Sequence, residues 1–144
     1  MKLSTKCRYG MRAVIQIAQM HESGSCKRKD IAKSEGISDS YLENILIILK
    51  TNGIIKTTRG AKGGYLLAKK PADIILLEIV EALEGSLDLV DCVSAPDCCE
   101  KHTNCTTRLL WKEMSQAWQS VLSTKTLQDL LDSENQKVAE CFSI

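Results

Sequence analysis

The chain has 144 residues, of which 44% are hydrophobic and 26% are charged. This composition supports a folded core and excludes a disordered or collagen-like protein, and the length excludes a multi-domain enzyme. The net charge of +1 hides an asymmetry, because residues 1–70 contain 14 of the 19 Lys and Arg but only 5 of the 18 Asp and Glu. The first half is therefore predicted to bind a polyanion.

The sequence carries no signal for a membrane or for export. The longest apolar runs, such as residues 45–49, have about five residues, whereas about 18 are needed to span a bilayer. Residues 1–5 lack the apolar stretch of a signal peptide. We therefore expect a cytoplasmic protein that has no membrane partner.

Three amphipathic helices are predicted in the basic half. Residues 4–21 repeat apolar side chains every three or four positions. A short second helix covers residues 29–35 and closes at Gly36, and Ser38 can cap a third helix that ends near Asn52. A short helix, a glycine-containing turn and a longer helix are typical of a helix-turn-helix.

The third predicted helix has two different faces. Leu42, Ile45, Leu46 and Leu49 repeat at helical spacing and are expected to face the core. The opposite face carries the short polar groups that read base edges in a major groove. Tyr41 is equally compatible with a phosphate contact and with partial burial. The candidate DNA-binding residues here are Ser38, Ser40, Tyr41, Glu43 and Asn44.

A β-hairpin is predicted directly after the third helix. Two β-prone runs, residues 54–58 and 65–68, flank the glycine-rich residues 59–64. Glycine-rich tips are ordinary in hairpins, but a narrow basic loop after a helix-turn-helix suits a minor groove. The candidate contacts are Arg59, Gly60 and Lys62, and Lys6 adds a cation near the start of the first helix.

The acidic half is predicted to contain a short packing helix and a long amphipathic one. Residues 74–83 form the first, which ends at Gly85, and residues 106–122 form the second, which carries both tryptophans. The long helix has more apolar surface than one small domain covers, so we expect it to pack against a second copy. Folding back onto its own core remains the alternative. The apolar stripe comprises Leu110, Met114, Ala117, Trp118, Val121 and Leu122.

Four of the seven cysteines lie within residues 92–105. Clustered thiols in a reducing compartment favour metal or redox chemistry over structural disulfides, and thiolates bind both iron–sulfur clusters and zinc.

The predicted fold is mainly α, a winged helix-turn-helix with a small β-hairpin wing and a long C-terminal dimerisation helix. Its parts are a DNA-binding domain at 1–70, an effector and dimerisation region at 71–132, and a flexible tail at 133–144. The second part contains the cysteine loop, residues 92–105.

Several motifs of the basic half together carry a family resemblance. They are Lys2–Lys6, Arg8–Gly10, Ile37-Ser38 with Tyr41–Glu43, Arg59-Gly60 and Gly63–Leu67. With these motifs the chain resembles the winged-helix regulators of the IscR, NsrR and CymR group, from residue 1 to about residue 132. The resemblance implies a homodimer on a palindromic double-stranded DNA operator, with the third helix in the major groove and the wing in the minor groove. It also implies that Glu43 helps to select between operator sequences.

The cysteine spacing also resembles the cluster loop of IscR-like proteins. This implies Cys92, Cys98 and Cys105 as ligands of an iron–sulfur cluster, either 2Fe–2S or 4Fe–4S. Where IscR has a ligand histidine three residues after the last cysteine, this chain has Arg108, which cannot ligate iron. Some relatives take the fourth ligand from the first helix of the partner subunit. The fourth ligand is therefore open among Cys99, His102 and Cys7.

The leading hypothesis is a dimeric transcription regulator whose operator binding is controlled by this cluster. A DNA-binding regulator that senses through zinc or thiol oxidation is the alternative, and an iron–sulfur carrier is a more remote one. We do not expect an enzyme, because no Ser/His/Asp set, carboxylate pair or phosphate-binding loop stands out.

Overall fold

The computed structural model describes residues 3–21 and 23–141, with side chains through residue 136. Lys2 of the first family motif and residues 142–144 of the predicted tail lie outside this part, as do Met1 and Glu22. The protein is mainly helical with one antiparallel hairpin, as predicted. The elements are α1 (Thr5–Gln19), α2 (Arg28–Glu35), α3 (Asp39–Thr51), β1 (Ile55–Thr58), β2 (Gly64–Leu67), α4 (Leu76–Glu84), α5 (Asp91–Ser94), α6 (Thr106–Ser123) and α7 (Leu127–Cys141), with 3-10 turns at Pro71–Asp73 and Pro96–Cys98.

The three helices of the basic half begin and end within two residues of the positions that the sequence indicated. The Ser4 hydroxyl caps α1 by accepting a hydrogen bond from the Cys7 amide at 3.0 Å. Helix α2 ends at Gly36, whose φ of 64° lies in the left-handed region that favours glycine. Ser38 caps α3. The helix-turn-helix is therefore confirmed.

A single core joins the basic and the acidic halves. The predicted inward face of α3 is confirmed, since Leu42, Ile45, Leu46 and Leu49 are fully buried. They share the core with Leu83 of α4 and with Leu127 at the start of α7. Burying an aliphatic side chain of this size contributes about 1.5–3 kcal/mol, so α4 and α7 stabilise the helix-turn-helix as well as their own segment.

The wing has a third backbone partner that the sequence analysis did not predict. Strands β1 and β2 pair from Ile55 opposite Leu67 to Thr58 opposite Gly64. In addition, the Cys26 amide donates to the Tyr65 carbonyl at 2.9 Å and the Tyr65 amide donates to the Cys26 carbonyl at 2.8 Å. The segment before α2 therefore anchors the wing.

Helix α6 divides its apolar surface between the protein's own core and solvent. Trp118 and Leu122 pack against the core, and Ser115 is buried. The neighbouring stripe of Leu110, Met114, Ala117 and Val121 is exposed. The fold-back alternative thus describes only one side of α6, and the other side remains free to contact a second copy.

Helix α7 extends through most of the segment predicted to be a tail. Asp129 accepts a hydrogen bond from the Thr126 amide at 2.7 Å, and the Thr126 hydroxyl accepts one from the Asp129 amide at 3.3 Å. This reciprocal capping box starts the helix and lowers the pKa of Asp129, chiefly through the Thr126 amide. Residues 133–141 are helical rather than irregular, while their flexibility stays a prediction.

Across the part of the chain that the structure describes, no helix is both long and apolar enough to cross a membrane.

Replacing Ser115 by Ala is expected to destabilise the protein. The Ser115 hydroxyl accepts a hydrogen bond from the Leu89 amide at 3.0 Å and donates one to the Trp111 carbonyl at 2.8 Å. Without it, the Leu89 amide loses its partner at a cost of about 1–3 kcal/mol in the free energy of unfolding. Urea denaturation measures this value. Ser120→Ala, at an exposed position on the same helix, is the control, and equal stabilities of the two variants would contradict the assignment.

Candidate nucleic-acid interface and cysteine loop

The amino-terminal turn of α3 presents polar side chains to solvent. Ser40, Glu43 and Asn44 are exposed there, as expected for groups that contact a ligand. Ser38 has a local structural task, because its hydroxyl accepts a hydrogen bond from the Tyr41 amide at 3.2 Å. Four of the five predicted major-groove residues are therefore exposed, and one of these, Ser38, also caps the helix that carries the others.

Tyr41 is half-buried and belongs to an aromatic pair. Its ring meets the Tyr9 ring edge to face, with centroids 6.3 Å apart and an interplanar angle of 89°. The Arg12 guanidinium lies 5.9 Å from the centroid of the Tyr9 ring, within cation–π range. This packing accounts for the partial burial that the sequence left open, and a phosphate contact by the hydroxyl stays a prediction.

An arginine fork that the sequence analysis missed joins α2 to α3. Arg28 donates through Nε to Asp39 Oδ1 at 2.9 Å and through Nη2 to Asp39 Oδ2 at 2.6 Å. Its remaining nitrogen, Nη1, pairs with Glu43 Oε1. The hydrogen bonds that Arg28 donates to Asp39, and then those that it donates to Glu43, raise the pKa of Arg28. Sequence spacing gave no signal for this fork, because it depends on how α2 and α3 cross.

The wing tip is a narrow basic loop. Arg59, Gly60 and Lys62 are exposed, and Gly60 has a φ of 105°, a conformation that other residues rarely adopt. The loop is held from the side by the Ser25 hydroxyl, which donates to the Lys62 carbonyl at 2.5 Å. Lys6, the remaining predicted contact, is half-buried on α1. Exposed cations on a narrow hairpin suit a groove lined with phosphates.

The four loop cysteines occupy different local structures. Cys92 lies in α5, Cys98 ends the second 3-10 turn, Cys99 follows it, and Cys105 is the N-cap of α6. Burial, followed by the charges of Cys92, Asp91 and Cys99, raises the pKa of Cys98. The Thr107 hydroxyl and the Arg108 amide lower the pKa of Cys105. The loop thus holds thiols of unequal acidity.

The donor chemistry of the loop fits an iron–sulfur cluster, whereas its conformation is open. Such clusters are held by cysteine thiolates, and four thiols lie within residues 92–105. Within residues 3–21 and 23–136, whose side chains the structure describes, no three Cys, His, Asp or Glu side chains lie close enough together to hold a metal ion. Binding would therefore require residues 92–105 to rearrange. The elements that this rearrangement would change are a single-turn helix and a 3-10 turn.

The three candidates for a fourth ligand differ in their surroundings. The imidazole Nδ1 of His102 lies 2.8 Å from the Cys99 carbonyl oxygen, so one ring nitrogen is occupied locally. Cys7 lies outside the loop on α1, where burial and the Glu84 carboxylate raise its pKa to about 11. Cys99 is half-buried directly beside Cys98. No one of the three is favoured by position alone.

Arg108 has a structural role at the position where a ligand histidine was considered. Its Nε donates to the Cys92 carbonyl oxygen at 2.7 Å. The guanidinium therefore ties the first turn of α6 to α5. Trp118 makes a second tie, because its indole N–H donates to the Leu87 carbonyl at 3.0 Å. The segment that enters the loop and the loop itself are both hydrogen-bonded to α6.

Comparison with known proteins gives consistent matches over most of the chain. The model of the Rrf2 family, described as iron-dependent transcriptional regulators, matches residues 3–133. The Rrf2 protein of Nitratidesulfovibrio vulgaris is 41% identical over 131 residues, which cover 91% of this chain and 87% of that protein. CymR, the global cysteine regulator of B. subtilis, superposes with a TM-score of 0.77 at 34% identity, covering 92% of this chain and 98% of CymR. IscR of T. potens gives the same TM-score and identity over 93% of this chain and 88% of its own.

Replacing Gly64 by Ala is expected to disturb the anchoring of the wing. A Cβ atom at this position would lie 2.6 Å from the Cys26 carbonyl oxygen and 2.9 Å from the Ser25 hydroxyl. Relieving that contact requires backbone movement, which costs about 1–3 kcal/mol. Hydrogen exchange should show faster exchange at the Cys26 and Tyr65 amides, while Ala61→Ser in the exposed loop should leave both rates unchanged. Slow exchange at both amides in Gly64→Ala would contradict the expected disturbance.

Proposed function

The chain belongs to the Rrf2 family of transcriptional regulators, and on this premise we propose that it is a homodimer whose binding to a palindromic operator is controlled by an iron–sulfur cluster on residues 92–105. The observation that carries the DNA-binding part is the exposed polar turn of α3, followed along the chain by a basic wing that is fixed to the same core. Sequence-specific recognition requires both base-edge readers and groups that bind the backbone.

The two reading elements have separate tasks in this proposal. Ser40, Glu43 and Asn44 contact base edges in the major groove, where hydrogen-bonding patterns distinguish all four base pairs. Arg59 and Lys62 enter the adjacent minor groove, where the negative potential is strongest. Tyr41 and Lys6 lie beside these elements and supply phosphate contacts.

The exposed stripe of α6 supports a homodimer. Leu110, Met114, Ala117 and Val121 repeat at intervals of four, three and four, which is the spacing of a helix-packing seam. Leu110, Met114 and Val121 are exposed by 49%, 47% and 56% in the single chain. The same helix in a second copy is the matching surface, and pairing across a twofold axis suits two half-sites about one DNA turn apart.

The cysteine loop is the control element of the proposal. Cys92, Cys98 and Cys105 would hold the cluster, together with Cys99, His102 or a partner's Cys7. A cluster of this kind supplies a redox-sensitive group whose presence fixes the conformation of the loop that holds it. A coupling of about 1–3 kcal/mol between loop and operator would change affinity roughly 5- to 150-fold.

Hydrogen bonds of this chain connect the loop to α6. Arg108 holds the Cys92 carbonyl, Ser115 holds the Leu89 amide and Trp118 holds the Leu87 carbonyl. A change in the shape of residues 92–105 is therefore passed to the helix that pairs the two copies. The orientation of that helix sets the distance between the two recognition helices.

Thiol chemistry without a cluster is a second candidate, favoured by the open arrangement of the loop. No metal-binding group is formed by the described side chains, and CymR, one of the matching structures, is a cysteine regulator. In this alternative the loop cysteines respond to oxidants directly. A Cys92→Ala variant would then lose its response to oxidant with no change in visible absorption.

Arg59→Ala is expected to weaken operator binding about tenfold or more, because it removes the leading cation of the wing from the minor groove. Fluorescence anisotropy on a duplex selected by the wild-type protein measures the affinity. Lys125→Ala, which removes an exposed cation between α6 and α7, is the control and should change affinity little. Equal affinities of wild type and Arg59→Ala would refute the wing contact.

Anaerobically purified protein is expected to be brown and to contain iron and acid-labile sulfide. Cys92→Ala, Cys98→Ala and Cys105→Ala should each lose the visible absorption, while Cys26→Ala, outside the loop, should keep it. Optical and paramagnetic-resonance spectra of Cys99→Ala, His102→Ala and Cys7→Ala then identify the fourth ligand and the cluster type. A colourless, iron-free anaerobic preparation that shows full regulation would remove the cluster from the mechanism and leave thiol sensing.

A further inference from the structure

Arg28 reaches across the helix-turn-helix to the exposed face of α3. We propose that Arg28 is a specificity-determining positioning residue, which holds the Glu43 carboxylate in one orientation and thereby sets which base the regulator accepts opposite it. This inference rests on the proposed function, since it concerns how α3 reads an operator.

The geometry of the fork ties one guanidinium to two carboxylates. Arg28 is the first residue of α2, and Asp39 is the first residue of α3. Asp39 holds the guanidinium in a bidentate pair at 2.9 and 2.6 Å, and the Nη1 that remains pairs with Glu43. Asp39 and Glu43 are four residues apart on α3 and therefore share a face. Asp39 thus orients Arg28, and Arg28 in turn orients Glu43.

Fixing Glu43 before DNA arrives favours selective binding. A free glutamate side chain loses rotamer entropy when it is immobilised. In the fork, Glu43 is held although its side chain is 48% exposed, while that of Arg28 is only 29% exposed. Arg28 therefore lies under the reading surface and Glu43 lies on it. Part of the side-chain entropy of Glu43 is therefore lost when the protein folds rather than when it binds DNA.

The held carboxylate selects one kind of base edge. Arg28 occupies Oε1 of Glu43, which leaves Oε2 as a hydrogen-bond acceptor. A carboxylate accepts from the exocyclic amino groups of cytosine and adenine in the major groove and opposes the carbonyl oxygens of guanine and thymine. The inferred preference is therefore for an amino-bearing base at the position that Glu43 faces.

Removing Arg28 has two effects that the experiment must separate. The loss of the fork releases Glu43, and the loss of a cation leaves two carboxylates facing the phosphates, which weakens binding to every sequence. The double variant Arg28→Gln with Asp39→Asn removes the fork but restores the net charge of the group. Arg28→Lys gives a second control, because it keeps the cation and loses the planar bidentate geometry.

The test uses the full-length protein and a randomised pool of duplexes of about 30 base pairs, long enough for two half-sites. Wild-type protein selects a preferred duplex, and affinities are then measured for single-base variants of it at several salt concentrations. We expect wild type to discriminate by about fivefold or more at one position in each half-site. Glu43→Gln, the charge-restored double variant and Arg28→Lys should all reduce that discrimination to about twofold or less at the same position. The double variant should keep the wild-type salt dependence, since no phosphate contact is lost.

Combining Arg28→Lys with Glu43→Gln should produce no further loss, because the two residues act through one contact. Uniform weakening with unchanged base preference would overturn the inference and give Arg28 a phosphate-binding role, as would a preference change at a position that Glu43→Gln does not affect. Thermal melting checks that each variant is folded. If wild type selects no sequence from the pool, it is the proposed function that fails.

Discussion

The close approach of α1 to α3 and α4 is the constraint on which the rest of the structure depends. A Cβ atom at Gly10 would lie 2.6 Å from a methyl group of Leu83 and 3.2 Å from one of Ile45. Glycine therefore allows the first helix to sit against both neighbours. Because Leu83 lies in α4 of the acidic half and Ile45 lies in α3 of the basic half, this contact packs the two halves into one core. Closely packed interiors transmit displacement from one element to the next.

Helix α6 contacts both the cysteine loop and the core. Its inner side is hydrogen-bonded to Leu87 and Leu89, and its first turn is tied to Cys92. Its outer side remains apolar and uncovered in the single chain. A helix with this arrangement would carry a change in the loop to the interface of the proposed dimer.

The sequence predicted the elements that depend on local patterns, and missed those that depend on tertiary geometry. Helical periodicity and caps located α1 to α4 and α6, and the inward residues of α3 were correct. Helix α7 was not predicted, since no helix was assigned to residues 127–141, although Thr126 and Asp129 form a recognisable capping box. The fork of Arg28 requires the crossing of two helices, and the separation of the loop thiols requires the loop conformation. Neither is encoded in residue spacing.

The backbone pairing of Cys26 with Tyr65 has a consequence for how the molecule adapts to DNA. Arg28 lies two residues after Cys26. This short segment is therefore hydrogen-bonded to the hairpin through its main chain and paired with α3 through the Arg28 side chain. In the proposed dimer, the residues that would enter the two grooves from one subunit are thus tied to the same short segment. Operators of different length would then be accommodated by rotation of whole subunits about their shared axis rather than by bending of the hairpin.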